Sequence, residues 1–402
     1  MHALLTVLLA AALLVLAVPV LLVAAYLGAL TLLSARLPAP PPGRSTRLLV
    51  LVPAHNEAAV IERTVQSLLA MDYPQDLFRV QVIADNCVDD TAALARSAGA
   101  AVWERQHASL RGKGYALQFA YEKVLAEGWA EAVVIVDADT EVSRNLLGAF
   151  AARVQAGAGA VQAFYGVLNP LASWRTRLVT IALAIFHRLR GRARARLGVS
   201  NKLNGNGMCF TAATLRRVPH EAFSIAEDLE YGIALGRAGI AVSYADEAEV
   251  RAEMVSTAKA AESQRQRWES GRAQMRQLYG WPLLGAAFRQ RSALLLDLAL
   301  DVLVPPLSTV ALFTLLLAAL GLLLAWFTGI ALFALPGLLA LAALLLHVLR
   351  GVVLSRLGLQ GWLDLALAPG YVVWKLLLRF QRKGPKDEWV RTTREQEGKP
   401  PN

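Results

Sequence analysis

The 402-residue chain is poor in the residues that build disulfide or metal frameworks. It has only two cysteines, Cys87 and Cys209, and their spacing matches no zinc or redox motif. We expect both to be small buried residues. The net charge is +10, but the sequence has no zinc-finger spacing and no basic stripe with interleaved aromatic residues. These absences exclude a disulfide scaffold and argue against a nucleic-acid partner.

Charged residues are absent from two long segments, residues 3–35 and 302–349. One bilayer span takes about 20 apolar residues, so we expect one transmembrane helix in the first segment and two in the second. The composition agrees, with 55% hydrophobic residues and a mean hydropathy of +0.42. No basic residue precedes the first segment, which is also longer than the roughly 7–15 apolar residues of a signal peptide. A retained anchor is therefore expected rather than a cleaved signal.

The basic residues that flank these segments predict their orientation, because loops rich in Lys and Arg stay in the cytoplasm. The flanking arginines are Arg36, Arg44, Arg47, Arg289, Arg291, Arg350 and Arg356. The short connection at 326–337 carries no charge. We expect an integral protein of the inner or plasma membrane with its N-terminus outside and residues 44–290 in the cytoplasm. Anionic lipid headgroups would attract the flanking arginines.

The middle of the chain alternates between two periodicities. Short β-branched runs at 47–53, 80–85 and 132–139 are separated by helical spacing at 57–70 and 90–98. This alternation predicts an α/β domain with a mostly parallel sheet. Ligands of such sheets bind beyond the carboxyl ends of the strands. Because those ends carry the sequences HNE, DNCVDD and DAD, we expect a polar site there.

These patterns divide the chain into six segments. They are a transmembrane anchor at 1–35, a linker at 36–46, the cytoplasmic domain at 47–290, a lead-in with two transmembrane helices at 291–350, an interfacial or re-entrant element at 351–383 and a polar tail at 384–402. Asp364, Pro369 and Lys375 interrupt the apolar run at 361–383 and disfavour a full span there. Residues 174–198 place an apolar nonamer between arginines, which is typical of an interfacial helix or of a surface helix with a basic loop.

Several acidic and basic residues at the predicted sheet edge carry recognisable chemistry. Asp137 and Asp139 offer the oxygen ligands that Mg²⁺ or Mn²⁺ prefers, although a turn or helix cap also explains such a pair. The ion would neutralise charge on a phosphate leaving group. Lys113 lies in a basic glycine loop that suits a diphosphate. Asp85 suits a nucleobase or ribose, or caps the following turn.

Glu227 and Asp228 form a second acidic pair where a helix is expected to begin. Acids are common at the N-cap, which is one explanation of the pair. The other is catalytic, because a carboxylate can take the proton from an attacking hydroxyl group.

Seven sequence motifs resemble those of one protein family, both in their order and in their spacing. They are VPAHNE, ADNCVDDTA, RGKGYAL, VDADTEV, NGNGM, AEDLEYG and QRQRW. Across about 47–272 the chain is similar to the membrane-bound family 2 glycosyltransferases, which include cellulose, chitin, hyaluronan and poly-N-acetylglucosamine synthases and ceramide glucosyltransferases. The resemblance implies a Rossmann-like mixed sheet of the GT-A fold, a nucleotide-sugar donor, usually a UDP-sugar, a divalent cation and inversion at the anomeric carbon.

The resemblance also implies roles for individual acids. Glu57 and Asp85 match positions that hold the uridine. Asp137 matches the acid that contacts the nucleotide, and Asp139 matches the metal ligand beneath the diphosphate. Asp228 matches the catalytic base, next to Glu227.

The matched acidic motif departs from the family at one position. The family has threonine where this chain has Ala226, which leaves the base intact but removes a hydroxyl group.

The resemblance gives the segment QRQRW a role at the same pocket. Gln264, Arg267 and Trp268 match the family's Q-x-x-R-W motif, and their spacing places them on one face of a helix. Trp268 would form a flat wall for an acceptor sugar, with Gln264 beside it. Arg267 would bind the diphosphate.

The functions that remain open differ in the acceptor of the sugar. We expect transfer to a lipid or lipid-linked acceptor, and the alternative is a processive synthase of a β-linked polysaccharide, whose channel an oligomer could complete. A catalytically inactive scaffold would be expected to lose some of the motif residues, and this chain retains them. A transporter would place polar residues within the spans, where residues 302–349 have only His347.

Overall fold

The computed structural model describes residues 2–254, 258–367 and 370, without the side chains of residues 2–3 and 258–267. The strands are β1 (Leu48–Ala54), β2 (Phe78–Asp85), β3 (Ala101–Arg105), β4 (Ala132–Ile135), β5 (Thr140–Val142), β6 (Ala160–Val167), β7 (Met208–Thr211) and β8 (Val242–Ala252). The helices of the first half are α1 (His2–Leu32), α2 (Ile61–Leu69), α3 (Thr91–Ser97), α4 (Lys113–Glu127), α5 (Leu146–Gln155) and α6 (Trp174–Leu183), followed by a π-helix (Ala184–Leu189) and α7 (Arg190–Leu197). The remaining helices are α8 (Ala212–Arg217), α9 (Glu227–Arg237), α10 (Ala258–Gln290), α11 (Ala293–Leu303), α12 (Leu307–Thr328), a 3₁₀ turn (Ala331–Ala334), α13 (Leu335–Ser355) and α14 (Leu359–Leu365).

The strands form one mixed sheet in the order β3-β2-β1-β4-β7-β6-β8-β5. The first four strands are parallel to their neighbours. Strand β7 then runs antiparallel to both β4 and β6, β8 is parallel to β6, and β5 is antiparallel to β8. The expected α/β class with a mixed sheet is therefore confirmed, and β7 and β5 are the strands that run antiparallel to their neighbours.

The strand predicted at 132–139 is shorter than expected. Strand β4 ends at Ile135, whose carbonyl accepts a hydrogen bond from Gly207 N at 3.0 Å. Two residues later the backbone N of Asp137 donates to Asn206 Oδ1 at 3.1 Å. Because these bonds go to a loop rather than to a neighbouring strand, Asp137 and Asp139 lie in the turn beyond the sheet.

Three helices within the described residues are long and apolar enough to cross a bilayer. They cover Leu4–Leu32, Leu307–Thr328 and Ala331–Ser355. They coincide with the one and two spans expected from the uncharged segments. Helix α1 packs along α13, and α12 and α13 form a hairpin.

The arginine-rich stretch at 174–198 is more buried than a surface helix with a basic loop would be. It is helical from Trp174 to Leu197, as α6, the π-helix and α7, and it packs between the sheet and α13. The packing is close, since a side chain at Gly351 would meet Ile185 within 2.1 Å. The arginines at 188, 190, 192 and 194 are buried, whereas Arg196 is exposed.

One of the polar residues that interrupt the last apolar run lies in helix α14 and has a partner in helix α6. Asp364 is buried and accepts hydrogen bonds from Arg177 of α6 at 2.5 and 3.1 Å. The other two interruptions, Pro369 and Lys375, lie outside the described residues, as does the expected polar tail.

Two buried arginines of α7 pair with two buried aspartates of α11. Arg194 lies 2.8 Å from a carboxylate oxygen of each of Asp297 and Asp301, and Arg190 lies 3.3 Å from Asp301. Tyr26 of α1 accepts from Arg194 at 3.0 Å and donates to Asp297 at 3.1 Å. This Arg–Asp–Tyr cluster joins the apolar helix α1 to α7 of the α/β domain and to α11, which precedes the helix hairpin.

Removing one acid from this cluster should strongly destabilise the protein. We expect Asp301→Asn to cost about 3–5 kcal/mol, because it leaves buried guanidinium charge uncompensated. The exposed Asp72, which pairs with Arg44 at 3.1 Å, provides the control, and Asp72→Asn should cost about 0–1 kcal/mol. Thermal unfolding in detergent measures both, and equal shifts in melting temperature would contradict the prediction.

Candidate active site

The site lies where the neighbouring strands β1, β2 and β4 end. The chain turns sharply after the first two strands, because Asn56 and Asn86 adopt left-handed backbone angles of φ 56° and 53°. Each asparagine then fixes the loop beyond it. Asn56 Oδ1 accepts from Val88 N at 2.8 Å, and Asn86 Oδ1 accepts from His107 N at 2.8 Å. Glu57, which donates its backbone N–H to Thr91 Oγ1 at 2.8 Å, is thereby held at the cavity wall.

Asp85 has a partner that the sequence did not reveal. Its Oδ1 atom accepts from Arg105 at 2.5 Å and from Asn86 Nδ2 at 3.1 Å. Arg105 also donates to the carbonyl of Leu110 at 2.9 Å. Both Asp85 and Arg105 are buried. The arginine therefore fixes the carboxylate at the cavity edge and anchors the loop that leads to Lys113.

Lys113 connects four of the predicted motifs. Its Nζ atom donates to Asp137 Oδ1 and to the carbonyl of Gly205, both at 2.5 Å, and lies 3.9 Å from Glu227 Oε1. Burial lowers the pKa of Lys113, but Asp137, Glu227 and Asp228 outweigh it, so the pKa lies above its ordinary value. The basic loop, the Asp-x-Asp turn, the glycine loop and the second acidic pair thus meet at one ammonium group.

The glycine loop at 204–207 is shaped by two buried amides that sequence reasoning gave no role. Gln162 is fully buried, accepts from Asn204 N at 3.0 Å and donates to the carbonyl of Asn206 at 2.8 Å. Asn206 is also fully buried and donates to Thr140 Oγ1 at 2.7 Å. Gly205 has φ +76°, and a side chain there would come within 4 Å of both Asp228 and Lys113. The NGNGM motif was the sequence signal that could have pointed to this loop and to Asn206.

Glu227 and Asp228 begin helix α9. Asp228 Oδ1 accepts from Leu229 N at 2.7 Å, while the N-cap residue Ala226 makes no side-chain capping bond. Burial raises the pKa of Glu227 to about 7, with Asp228 and Asp137 adding to the effect and Lys113 opposing it. One acid of the pair is therefore able to change its charge near neutral pH.

Only part of the Q-x-x-R-W motif is described. Helix α10 carries all three residues, but the side chains of Gln264 and Arg267 lie outside the described residues. Trp268 is 47% exposed and lines the cavity, followed one turn later by Arg272. Its half-exposed ring is available to a ligand.

The acids at the turn after β4 fit a divalent cation that a ligand helps to hold. Asp137 and Asp139 both line the cavity, and one Asp137 oxygen is already engaged by Lys113. Among the residues that the structure describes, no group of three His, Cys, Asp or Glu side chains is arranged to hold a metal ion by itself. This donor set suits Mg²⁺ or Mn²⁺, because such ions are commonly held by one or two carboxylates together with substrate phosphates and water.

The cavity changes character along its length. Its volume is about 1930 Å³, and it extends from the acids described above to helices α12 and α13. Tyr165 and His187 stack 5.6 Å apart between the two ends. Burial lowers the pKa of His187 to about 4, so this part of the wall is uncharged at neutral pH. A polar end and an aliphatic end therefore share one space.

The residues of this site lie within a segment that matches a known family model. The profile described as "Glycosyltransferase like family 2" matches residues 45–271. The beta-monoglucosyldiacylglycerol synthase of a Synechocystis species is 30% identical over 229 residues, which are 55% of this chain and 47% of that protein. The same enzyme from a Nostoc species is 29% identical over 246 residues, 58% of this chain and 50% of that protein. The chain thus spans about half the length of the curated relatives it matches.

Among solved structures, a similar one is the mannosyltransferase PcManGT from Pyrobaculum calidifontis in complex with GDP-Man and Mn²⁺. It is 21% identical, with a TM-score of 0.49, and the match covers 84% of this chain and 96% of that chain.

The titration of Glu227 predicts a pH dependence of diphosphate binding. Below about pH 7 the carboxyl group is neutral, and as the pH rises its negative charge should repel an anionic ligand. We expect the dissociation constant of UDP, measured by calorimetry in metal-free buffer, to rise roughly three- to tenfold between about pH 6 and 8. Glu227→Gln should flatten the profile, and an unchanged profile in that variant would contradict the assignment.

Proposed function

This chain belongs to glycosyltransferase-like family 2, and we propose that it transfers a sugar from a nucleotide-sugar, expected to be a UDP-sugar, to a lipid or lipid-linked acceptor in the membrane. The observation that carries the proposal is the cavity, which joins the acids around Lys113 to the membrane helices without interruption. The names of the two cyanobacterial relatives describe synthesis of a glucosylated diacylglycerol, which supports an acceptor of this kind.

In the proposed reaction Asp228 acts as the general base. It takes the proton from the acceptor hydroxyl group, whose oxygen forms the new bond to the anomeric carbon. The bond from that carbon to the diphosphate breaks on the opposite face, so the configuration inverts. Leu229 N–H holds the Asp228 carboxylate at 2.7 Å, which orients it for this role.

The remaining charged groups would serve the diphosphate. Asp139 and Asp137 would hold Mg²⁺ or Mn²⁺, which neutralises the charge that develops on the leaving group. Lys113 keeps Asp137 in place through its 2.5 Å contact and adds positive charge at the same point. Arg267 would contribute a further cation, and Trp268 and Gln264 would contact the acceptor. Preorganised charge of this kind commonly supplies much of an enzyme's rate enhancement.

The acceptor end of the cavity favours a lipid over a growing polysaccharide. A sugar polymer crossing the membrane would need hydrogen-bonding and aromatic side chains along its path. Leu341, Leu344, Leu345 and Leu349 of α13 instead give that end an aliphatic wall. A single transfer, or a few, therefore fits the structure better than processive synthesis, and no oligomeric channel is required.

The arrangement of the helices supports the proposed sidedness. The C-terminal end of α1, the first turn of α12 and the last turn of α13 all lie beside the catalytic domain. We propose that this side is the cytoplasm of an inner or plasma membrane, with the N-terminus outside, as the positions of the flanking arginines predict.

Replacing the proposed base tests the reaction. Asp228→Asn should lower the rate of UDP release about 10²- to 10⁴-fold, because the amide cannot accept the proton. UDP affinity should stay within about threefold of wild type. The exposed Glu221 supplies a matched acid-to-amide control, Glu221→Gln, which should keep full activity. Retained turnover in Asp228→Asn would remove this residue from the role.

The metal is tested separately. Addition of a chelator should abolish UDP release by the wild-type protein, and Mn²⁺ or Mg²⁺ should restore it. Asp139→Asn should raise the metal concentration needed for half-maximal rate by about tenfold or more, since one of few ligands is lost. Full activity in the presence of the chelator would exclude a metal-assisted reaction.

A further inference from the structure

The aliphatic end of the cavity has walls from two parts of the protein. On one side are residues of α6 and the π-helix, and on the other are residues of the two membrane helices of the hairpin. The lining side chains include Leu178, Ile181, Ile185, Leu312, Leu344 and Val348. Apolar space of this size is unfavourable when filled with water and suits an apolar ligand.

This end of the cavity opens sideways. Three of its lining residues are about half exposed, namely Phe313 at 52%, Leu315 at 54% and Leu345 at 50%. Because α12 and α13 are bilayer spans, the surroundings of the hairpin at these residues are lipid. A molecule can therefore pass from the hydrocarbon into the cavity without crossing water.

The depth of the aliphatic end matches one leaflet. The lining residues extend over eight residue steps on each helix, from Leu307 to Leu315 along α12 and from Leu349 to Leu341 along α13. At 1.5 Å per residue each wall is about 12 Å long, close to half of the roughly 30 Å hydrocarbon core. The wall begins at the catalytic domain, so it reaches the leaflet nearest that domain.

Two hydroxyl groups mark the boundary between the aliphatic and polar ends. Ser308 and Thr309, in the first turn of α12, line the cavity, and their hydroxyl oxygens are buried without a hydrogen-bond partner among the described residues. Buried hydroxyl groups are usually satisfied. Their position suits the ester or hydroxyl oxygens at the top of a glycerolipid.

We propose that the aliphatic end is the acyl-chain site of a glycerolipid acceptor, which enters sideways from the near leaflet. One chain lies between α12, α13 and the π-helix, and Ser308 and Thr309 hydrogen-bond to the glycerol oxygens. The free hydroxyl of the lipid is then directed toward Asp228. The site deepens the proposed function and rests on it for the identity of the lipid as acceptor.

Photo-crosslinking tests the site without relying on catalysis. The probe is diacylglycerol with a diazirine near the end of one acyl chain, incorporated in nanodiscs with the full-length protein. We expect crosslinks at Leu312, Leu344 or Val348, and excess unlabelled diacylglycerol should reduce them at least fivefold. Labelling of the lipid-facing residue Leu316 should not respond to the competitor, because that residue does not line the cavity.

A matched pair of substitutions fills either the site or the outer surface of the same helix. Ala311→Phe places a ring in the cavity, whereas Ala319→Phe places one on the exposed face. Competed labelling should fall about tenfold or more in the first variant and stay unchanged in the second. Labelling that no competitor reduces, or equal labelling in both variants, would overturn the proposal.

Activity with lipids of different chain length then separates the site from the reaction. In Ala311→Phe, transfer to dioleoylglycerol should fall about tenfold relative to transfer to dihexanoylglycerol, because only the longer chain needs the filled space. Crosslinking in the cavity without transfer by the wild-type protein would refute the proposed function and leave the lipid site standing. Transfer with no competed crosslink would refute the site alone.

Discussion

The Arg–Asp–Tyr cluster of Tyr26, Arg190, Arg194, Asp297 and Asp301 holds the catalytic domain in place on its membrane helices. Charges buried at this depth are tolerated only when each has a partner. The charged partners come from α7 and α11, so neither helix can move away without leaving a charge unpaired, and Tyr26 of α1 hydrogen-bonds to both sides of the pair. Arg190 and Asp301 of the cluster also line the cavity, so the same ion pairs fix part of its wall.

A second group of charged residues lies at the polar end of the cavity. Lys113 is in contact with Asp137 and close to Glu227, and these acids crowd a small volume beside Asp228. Burial raises the pKa of Glu227 to about 7, and the like charges of Asp228 and Asp137 add to the effect. Repulsion among the acids is relieved by a cation, which is consistent with a site that binds a metal ion together with a diphosphate.

The sequence was sufficient for features that depend on local pattern. Uncharged runs located the three membrane helices, and β-branched runs located β1 and β2 to within two residues. The acids after β2 and β4 could be placed at one edge because parallel neighbouring strands end on the same side of a sheet. Lys113 and Asp228 were brought to that edge by resemblance to a family, since nothing local links them to it.

The contacts that the sequence could not reveal join residues that are far apart in the chain. Arg190 and Asp301 are 111 residues apart, and Arg105 and Asp85 are 20 apart. An arginine-rich helix is ordinarily a surface helix, because arginine is rarely buried without a partner, and the partners here lie on another helix. For this reason the stretch at 174–198 was interpreted as an interfacial helix or a surface helix with a basic loop, and the burial of four of its arginines was not foreseen. Gln162 and Asn206 were missed because buried amides leave no periodic pattern.

The glycolipid account has one direct test. The purified protein in nanodiscs containing diacylglycerol is incubated with UDP-sugars and Mn²⁺ or Mg²⁺, and the lipid extract is analysed by mass spectrometry. The account predicts metal-dependent UDP release with one sugar and a lipid heavier by a single hexose or N-acetylhexosamine. UDP release with an unchanged lipid pool and a growing polysaccharide would contradict it and identify a polymer synthase.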